Sequence, residues 1–439
     1  MTPEILTILM FIGVLGGVFL GFPIAFTLAG LGVIFGLVGW GPSIFNLLSA
    51  TGFGLMSTYT YAAIPLFVFM GCMLEASGIA DKAFDILNYW TRKVKGGIAI
   101  ASIILCTIFA ACTGIVGASV TTIGLMALPA MIKRGYHKGL ACGIIGAGGC
   151  LGILIPPSNM LVLYGPIANV SIVSLFSAAI VPGLLLAGLY LAYVIITAKV
   201  KPSWYPPVIP DSEDMERFSL LDGAKAFVPF IILILAVLGA ILFGLAAPTE
   251  AAALGAFGSI LIAFASKRLT LAKIKAAAAS TLQITAMVIF IALGANLFTS
   301  VFFLVGGGTV VANFMEALGL GAIGSLILVL LIVFLLGMLI DWLGILLIVV
   351  PIFTPVLYSF GFDPIWVALI IVLVMQTSFL TPPFAYALFY IKAIAPPEVT
   401  LGDIYRGVIP FIVLQLIGLT LCILFPNIVL WLPNLLASM

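Results

Sequence analysis

Charge is what this chain has least of. Its 439 residues carry 17 Lys or Arg and 15 Asp or Glu, 32 in all, where an ordinary soluble domain of that length would carry about 110. That deficit excludes a soluble globular protein. No run of Lys or Arg exceeds two residues, so there is no basic arm to follow a phosphate backbone, and nucleic acid is excluded as a partner. Histidine is reduced to His137, between Tyr136 and Lys138, which rules out a zinc protease motif and reads as an interfacial side chain. The six cysteines, Cys72, Cys106, Cys112, Cys142, Cys150 and Cys422, form no CxxC pair and sit in apolar stretches; they read as small buried side chains, not a disulfide frame or metal site. There is no GxxxxGK[ST] phosphate loop and no GxSxG turn. One carboxylate, Asp341, is expected at membrane depth, and one is too few for an enzyme.

Apolar residues fill the space that charge leaves. They make up 64% of the chain, with a mean hydropathy of +1.37, enough for roughly a dozen spans of about 20 residues. A membrane β-barrel would alternate apolar and polar positions, whereas Ile231 to Ala247 and Leu326 to Ile340 are apolar on every face. The fold class expected is an all-α polytopic membrane protein. The first apolar run has no basic residue before it and is expected to be a retained helix, not a signal peptide. Runs of spanning length lie near 5–20, 24–40, 59–77, 172–198, 226–246, 250–266, 284–305 and 408–432.

Two segments break this pattern. Residues 97–132 and 320–358 are each long enough to cross twice, but Gly, Ser, Thr or Asp interrupts them in the middle. Each reads as a re-entrant hairpin whose tip stops inside the bilayer. A helix broken by a proline pair follows each one, over about 138–170 and 365–395, with Pro156-Pro157 and Pro382-Pro383 at the breaks. The pairs are 226 positions apart. The same offset aligns Pro129 with Pro355, Gly135 with Gly361, Tyr136 with Phe362 and Tyr164 with Tyr390, and an offset of 225 aligns Pro23 with Pro248 and Gly30 with Gly255. The chain is a tandem duplication: a first repeat over 1–198, a polar linker over 199–225 that holds Asp211, Glu213, Asp214, Glu216 and Asp222, and a second repeat over 226–439.

The basic residues orient the repeats. Arg92, Lys93, Lys95, Lys133, Arg134 and Lys138 flank the first hairpin, while only Glu316 and Asp363 flank the second. The first hairpin therefore enters from the cytoplasm and the second from the opposite side. Counting spans between them puts Lys199, Lys201, Lys267, Arg268, Lys273, Lys275, Lys392 and Arg406 in the cytoplasm as well. The halves are inverted, with their tips near the midplane. Two amphipathic stretches at equivalent places, Pro42 to Ser57 and Thr270 to Gln283, read either as interfacial bracing arms or as ordinary loop helices.

Open backbone at membrane depth is tolerated only where protein or a water-filled cavity satisfies it, so the four breaks mark the candidate site. The first tip supplies Ser119, Thr121 and Thr122. Beside it, Pro156 and Pro157 lack N–H donors and free the carbonyls of the preceding turn, while Ser158 and Asn159 add further oxygens. That set of neutral oxygens suits a hard cation such as Na+. The second half offers Asp341 and Gly344 at its tip and Thr377, Ser378 and Thr381 at its broken helix. A carboxylate at the bilayer centre costs about 2.5–3.5 kcal/mol on insertion scales. Two roles stay open for Asp341: membership of a coupling-cation site, or a structural cap on the half-helix starting at Trp342. For the hydroxyls the competing role is a bond back to the preceding turn. Half-helices starting near Ala118, Ser158, Gly344 and Phe384 would aim their N-termini at the cavity, which favours an anion. Ser158, Asn159, Thr377, Ser378 and Thr381 are the candidate substrate contacts.

The tip Gly-Ile-Val-Gly-Ala-Ser-Val-Thr-Thr at 114–122, the Gly-Ile-Leu-Ile-Pro-Pro-Ser at 152–158 and the Thr-Pro-Pro at 381–383 resemble the large, DctM-type membrane subunit of tripartite ATP-independent periplasmic (TRAP) transporters, over essentially the whole chain. That resemblance implies an elevator-type member of the ion transporter superfamily in the bacterial inner membrane. It implies Na+-coupled uptake of an organic acid anion such as a C4-dicarboxylate or sialic acid. It also implies two partners, a small four-helix membrane subunit and a periplasmic substrate-binding protein, the length suiting a large subunit alone. Two or more Na+ are implied and no organic cofactor. One Na+ would lie among Ser119, Thr122, Ser158 and Asn159, and a second among Asp341, Gly344, Ser378 and Thr381. A channel on the same repeat and a proton-coupled exchanger are the rival functions, the second kept open by Asp341.

Overall fold

The computed structural model describes residues 2–207, 218–383 and 385–438, and helices account for nearly all of them. The first half contains α1 (Pro3–Phe19), α2 (Ile24–Trp40), α3 (Ile44–Ser57), α4 (Ala63–Ser77), α5 (Ile79–Thr91), α6 (Gly97–Thr113), α7 (Val116–Lys133), α8 (Lys138–Cys150), α9 (Asn159–Ala168) and α10 (Ile172–Val200). The second contains α11 (Leu220–Leu242), α12 (Pro248–Ala265), α13 (Leu271–Leu304), α14 (Gly307–Ala317), α15 (Gly321–Gly337), α16 (Trp342–Ser359), α17 (Pro364–Ser378), α18 (Tyr386–Ile394), α19 (Leu401–Leu424) and α20 (Asn427–Ala437). Among the described residues there is no strand, and nine helical segments are long and apolar enough to cross a membrane. The chain is an all-α polytopic membrane protein. Of the linker acids, Asp211, Glu213, Asp214 and Glu216 lie outside the described residues, while Asp222 forms a capping box with Ser219 at the start of α11.

The duplication is visible element by element. Helices α6 and α7 meet at Gly114-Ile115, as α15 and α16 meet near Asp341, and the breaks α8/α9 and α17/α18 each carry a cis proline pair, Pro156-Pro157 and Pro382-Pro383. Gly135 and Gly361, 226 positions apart, both have φ of 85°, the left-handed region that only glycine enters without strain, so each turns the chain out of its hairpin. Packing between the halves is reciprocal: α2 lies on α13 and α12 on α4, α7 on α18 and α16 on α9, α5 on α11 and α14 on α1. Such exchange is what a two-fold relation requires.

Several of the basic residues bind backbone carbonyls near helix ends. The Lys138 ammonium at the start of α8 donates to the Glu398 carbonyl between α18 and α19 at 2.7 Å. Lys273 donates to Ser77 at 3.2 Å, and Arg268 donates to the carbonyl of Gly78. His137 caps α8 and stacks on Trp204, ring centroids 4.7 Å apart. All six cysteines are buried and free.

The two amphipathic arms differ. The first is a separate helix, α3, ended by extended backbone at Thr58, but the second is continuous with the span that follows it in the 34-residue α13. At about 1.5 Å per residue that helix is about 51 Å long, well beyond the roughly 30 Å that an upright span needs.

Close approach of α8 and α19 rests on absent side chains. A Cβ on Gly407 would overlap the Gly139 carbonyl, and one on Gly143 would overlap the Gly407 carbonyl and stand 2.7 Å from the Phe411 ring. Backbone cannot yield as a flexible side chain can. Gly407→Val is therefore expected to destabilise the fold by about 1–3 kcal/mol, read as a lowered Tm of the detergent-solubilised chain relative to Gly402→Ala, where an added Cβ meets only ordinary contact.

Candidate functional site

The first hairpin tip closes on the first helix break. Gly114, with φ of 60°, ends α6, and a Cβ there would lie 3.0 Å from the Pro157 carbonyl and 3.1 Å from the Asn159 backbone and side-chain nitrogens. Gly152 approaches Ser119 in the same way. Between these surfaces lie Thr113, Ser119, Ser158 and Asn159, all buried. The Thr113 and Ser119 hydroxyls are 2.7 Å apart, and Thr113 also donates to the Phe109 carbonyl. Ser158 turns its hydroxyl proton onto the Ile153 carbonyl, freed by the proline pair, at 2.5 Å. Asn159 is 3% exposed, and neither its Oδ1 nor its Nδ2 has a hydrogen-bond partner.

Unpaired polar groups at such depth are costly, about 1–3 kcal/mol each. The Asn159 amide is held there by α9, whose first residue it is. Hydroxyls that donate backwards keep lone pairs on the other side, so Ser119, Ser158 and Asn159 together present acceptors to the cavity between tip and break.

Thr121 and Thr122 are placed elsewhere. Thr121 donates to the Gly117 and Ala118 carbonyls at 2.7 and 3.2 Å, back onto its own helix. Thr122 donates at 2.8 Å to Oε1 of Glu75, so it does not join the Ser119 cluster. Glu75, which accepts that bond, lies in the last turn of α4, half-buried against α7. It stands at the end of the 59–77 apolar run, and a lone acid there was the signal.

In the second half, Asp341 occupies the N-cap position of α16 but makes no capping hydrogen bond. The N–H groups of Trp342 and Leu343 lie beside it outside hydrogen-bond geometry, and its Oδ1 has no partner. Thr377, Ser378 and Thr381 donate to the carbonyls of Leu373, Met375 and Thr377 at 2.9, 2.7 and 2.9 Å. Gly337, at the end of α15, leaves no room for a Cβ beside the Ser378 hydroxyl, which brings the tip onto the break. Gly344 abuts Ile24 of α2. Gln376, in the same turn, is fully buried with both amide atoms unpartnered. The half-helix start near Phe384 lies outside the described residues; α18 begins at Tyr386.

Sequence reasoning overlooked the residues that join the two tips. On α18 the Tyr386 and Tyr390 hydroxyls are 2.9 Å apart. The Tyr390 ring covers Gly117 of the first hairpin, where a Cβ would come within 2.7 Å of it, and Tyr386 is near enough to Asp341 of the second to interact with its charge. Their i, i+4 spacing on a half-helix that follows a proline pair was the available signal. The candidate site thus lies where two glycine-bearing tips meet the helix breaks, and gathers neutral oxygens, one carboxylate and a pair of phenols.

Residues 6–428 match the family model described as the DctM component of the tripartite ATP-independent periplasmic transporter. The C4-dicarboxylate TRAP transporter large permease protein of Pseudomonas aeruginosa is 33% identical over 86% of this chain and 86% of its own length. The ectoine TRAP transporter large permease protein of Halomonas elongata is 30% identical over 98% of this chain and 99% of its own. Among solved structures the YdaH transporter of Alcanivorax borkumensis superposes with a TM-score of 0.67 at 15% identity, covering 97% of this chain and 99% of that one, a likeness of fold alone. The chain belongs to the DctM family, the large permease component of tripartite ATP-independent periplasmic transporters of the bacterial inner membrane.

Proposed function

We propose that the chain is a secondary active importer in which Na+ binding at the two tips drives uptake of an organic acid anion. The anion is handed over by a periplasmic binding protein, and a small four-helix membrane subunit completes the complex. One observation carries the reading: Asn159, nine-tenths or more buried with its whole amide unpartnered, at the meeting of hairpin tip and broken helix. Ser119 and Ser158 complete a neutral-oxygen cage with freed carbonyls, and Asp341 with Ser378 and Thr381 forms the second. Sodium accepts such hard oxygen ligands, and a modest ligand count permits release on the other side.

The substrate class comes from the site and the relatives together. Relatives named for C4-dicarboxylate and ectoine share the carboxylate, and sialic acid belongs to the same chemical class. Four half-helix N-termini and the Tyr386–Tyr390 pair supply donors to such a group without a buried Arg, which the spans lack. Tyr386→Phe is expected to raise the substrate concentration for half-maximal uptake about tenfold, the worth of one hydrogen bond to a charged group, with the Na+ titration unchanged. A matched shift in both titrations would place Tyr386 at the cation instead.

The defining test is accumulation. Liposomes holding the membrane complex, supplied with binding protein and an inward Na+ gradient, should concentrate the acid above the external level. Equilibration without accumulation would make the chain a facilitator. A proton-coupled exchanger is the second reading, favoured by the uncapped Asp341; replacing Na+ at constant pH separates the two.

A further inference from the structure

Far from the transport cavity, α5, α11 and α12 enclose a groove of about 760 Å³ on the outer face of the helix bundle. Its walls are apolar and include Ile232, Leu254, Phe257 and Leu261, which lie 60, 47, 62 and 49% exposed to the membrane side. Its cytoplasmic mouth is different. Lys82 of α5, Lys225 of α11 and Arg268, just past α12, line it together, and no carboxylate does. Arg268 donates to the Gly78 carbonyl and stands 4.0 Å from Asp81. The nearby acid Asp222 is held by the Ser219 amide and hydroxyl at 2.9 and 2.7 Å. Asp222 lies near enough to feel the charges of Lys225 and Lys82, but among the described residues neither lysine is in ion-pair contact with it.

The inverted repeat supplies an internal comparison. The pseudo-symmetric place, formed by α1, α2 and α14 on the opposite side, carries only Glu4 and Glu316 and no cation. The basic mouth belongs to the cytoplasmic side, where the phosphates of anionic lipids also lie. An apolar groove open to the hydrocarbon, ending at the cytoplasmic headgroup level in three cations with no carboxylate in its lining, matches one molecule in both parts: acyl chains for the groove and a phosphate for the mouth.

We infer that this groove is a binding site for an anionic phospholipid of the cytoplasmic leaflet, with its phosphate at Lys82, Lys225 and Arg268 and its acyl chains along α11 and α12. The lipid would cover a seam between α5 and the α11/α12 pair.

Native mass spectrometry of the full chain in detergent, titrated with phosphatidylglycerol or with phosphatidylcholine of the same acyl chains, tests this. The wild type should retain phosphatidylglycerol at least about fivefold better, and the Lys82→Gln/Lys225→Gln double variant should lose that preference. That variant leaves Arg268 holding Gly78, and its unchanged Tm in phosphatidylcholine would show that the fold survives. Leu261→Trp, which fills the groove, should lower retention of both lipids. Excess glycerol phosphate should not displace the lipid, because it brings no chains. Equal retention of the two lipids by the wild type, an unaltered preference in the double variant, or full competition by glycerol phosphate would each overturn the assignment. So would expulsion of the lipid on adding the small membrane subunit, which would give the groove to a protein helix.

Discussion

Uptake of the organic acid will fall to the level of empty liposomes when Na+ is replaced by K+ with the membrane potential held, and Asn159→Ala and Asp341→Asn will each raise the Na+ required for half-maximal uptake by about 10- to 100-fold. The size follows from what each side chain has been left without. Asn159 is buried with an unpartnered amide, and Asp341 sits at a helix start with no cap bond to occupy its Oδ1. A bound cation would relieve both. Interactions of charged groups with such partners are worth about 1.5–3 kcal/mol, and every 1.4 kcal/mol is tenfold in an equilibrium constant. Full uptake in K+ would end the Na+ reading, and unchanged Na+ titrations in both variants would end the site assignment. Ser158→Ala should shift the titration less, since its hydroxyl already holds the Ile153 carbonyl and contributes only a remaining lone pair.

The architecture was legible because the bilayer is an unforgiving solvent. Basic residues and proline pairs can stand in few places, and the two 226-spaced breaks and the cation-free second hairpin expose the inverted repeat without coordinates. The hydroxyl partners were not legible in the same way. Whether Thr122 faces the cage or Glu75 depends on the rotation of α7 against α4, which no local pattern encodes. Back-bonding by Thr377, Ser378 and Thr381 is a three- or four-residue geometry open to any helical hydroxyl, so composition could not tell it from ligation. Glu75 was missed for a related reason. At the last turn of a span a carboxylate reads as an edge residue, and only the packing of α7 on α4 buries it. The union of α3-like arm and span in α13 was hidden by Thr270 to Gln283, whose polarity suggested an interface while its helical propensity carried the helix straight on.

A disulfide between Thr299→Cys and Leu347→Cys should abolish uptake completely and reversibly, and this follows from how the helices are partitioned. One group is α2 with α13 and α4 with α12; the other packs the hairpins and breaks around α8, α17 and the flanking α10 and α19. The groups touch where side chains are small or absent. Gly344 abuts Ile24, and a Cβ on Gly71 of α4 would lie 2.9 Å from the Thr113 Cα. Two side-chain bonds cross the boundary at these places, the Thr299 hydroxyl on the Leu347 carbonyl at 3.4 Å and the Thr122 hydroxyl on the Glu75 carboxylate at 2.8 Å. Packed cores do not deform continuously, so a body that slides must break the bonds that tie it to its neighbour in each cycle. If the hairpin group moves as a body against the other, a covalent tie from α13 to α16 stops every cycle, whereas a mechanism confined to local opening of the tips would tolerate it. The native cysteines are buried and would not compete. The reduced double variant and each oxidised single variant should transport as the parent does, and dithiothreitol should restore the oxidised double variant. Transport that survives quantitative cross-linking would show that the tips open without movement of the body that carries them.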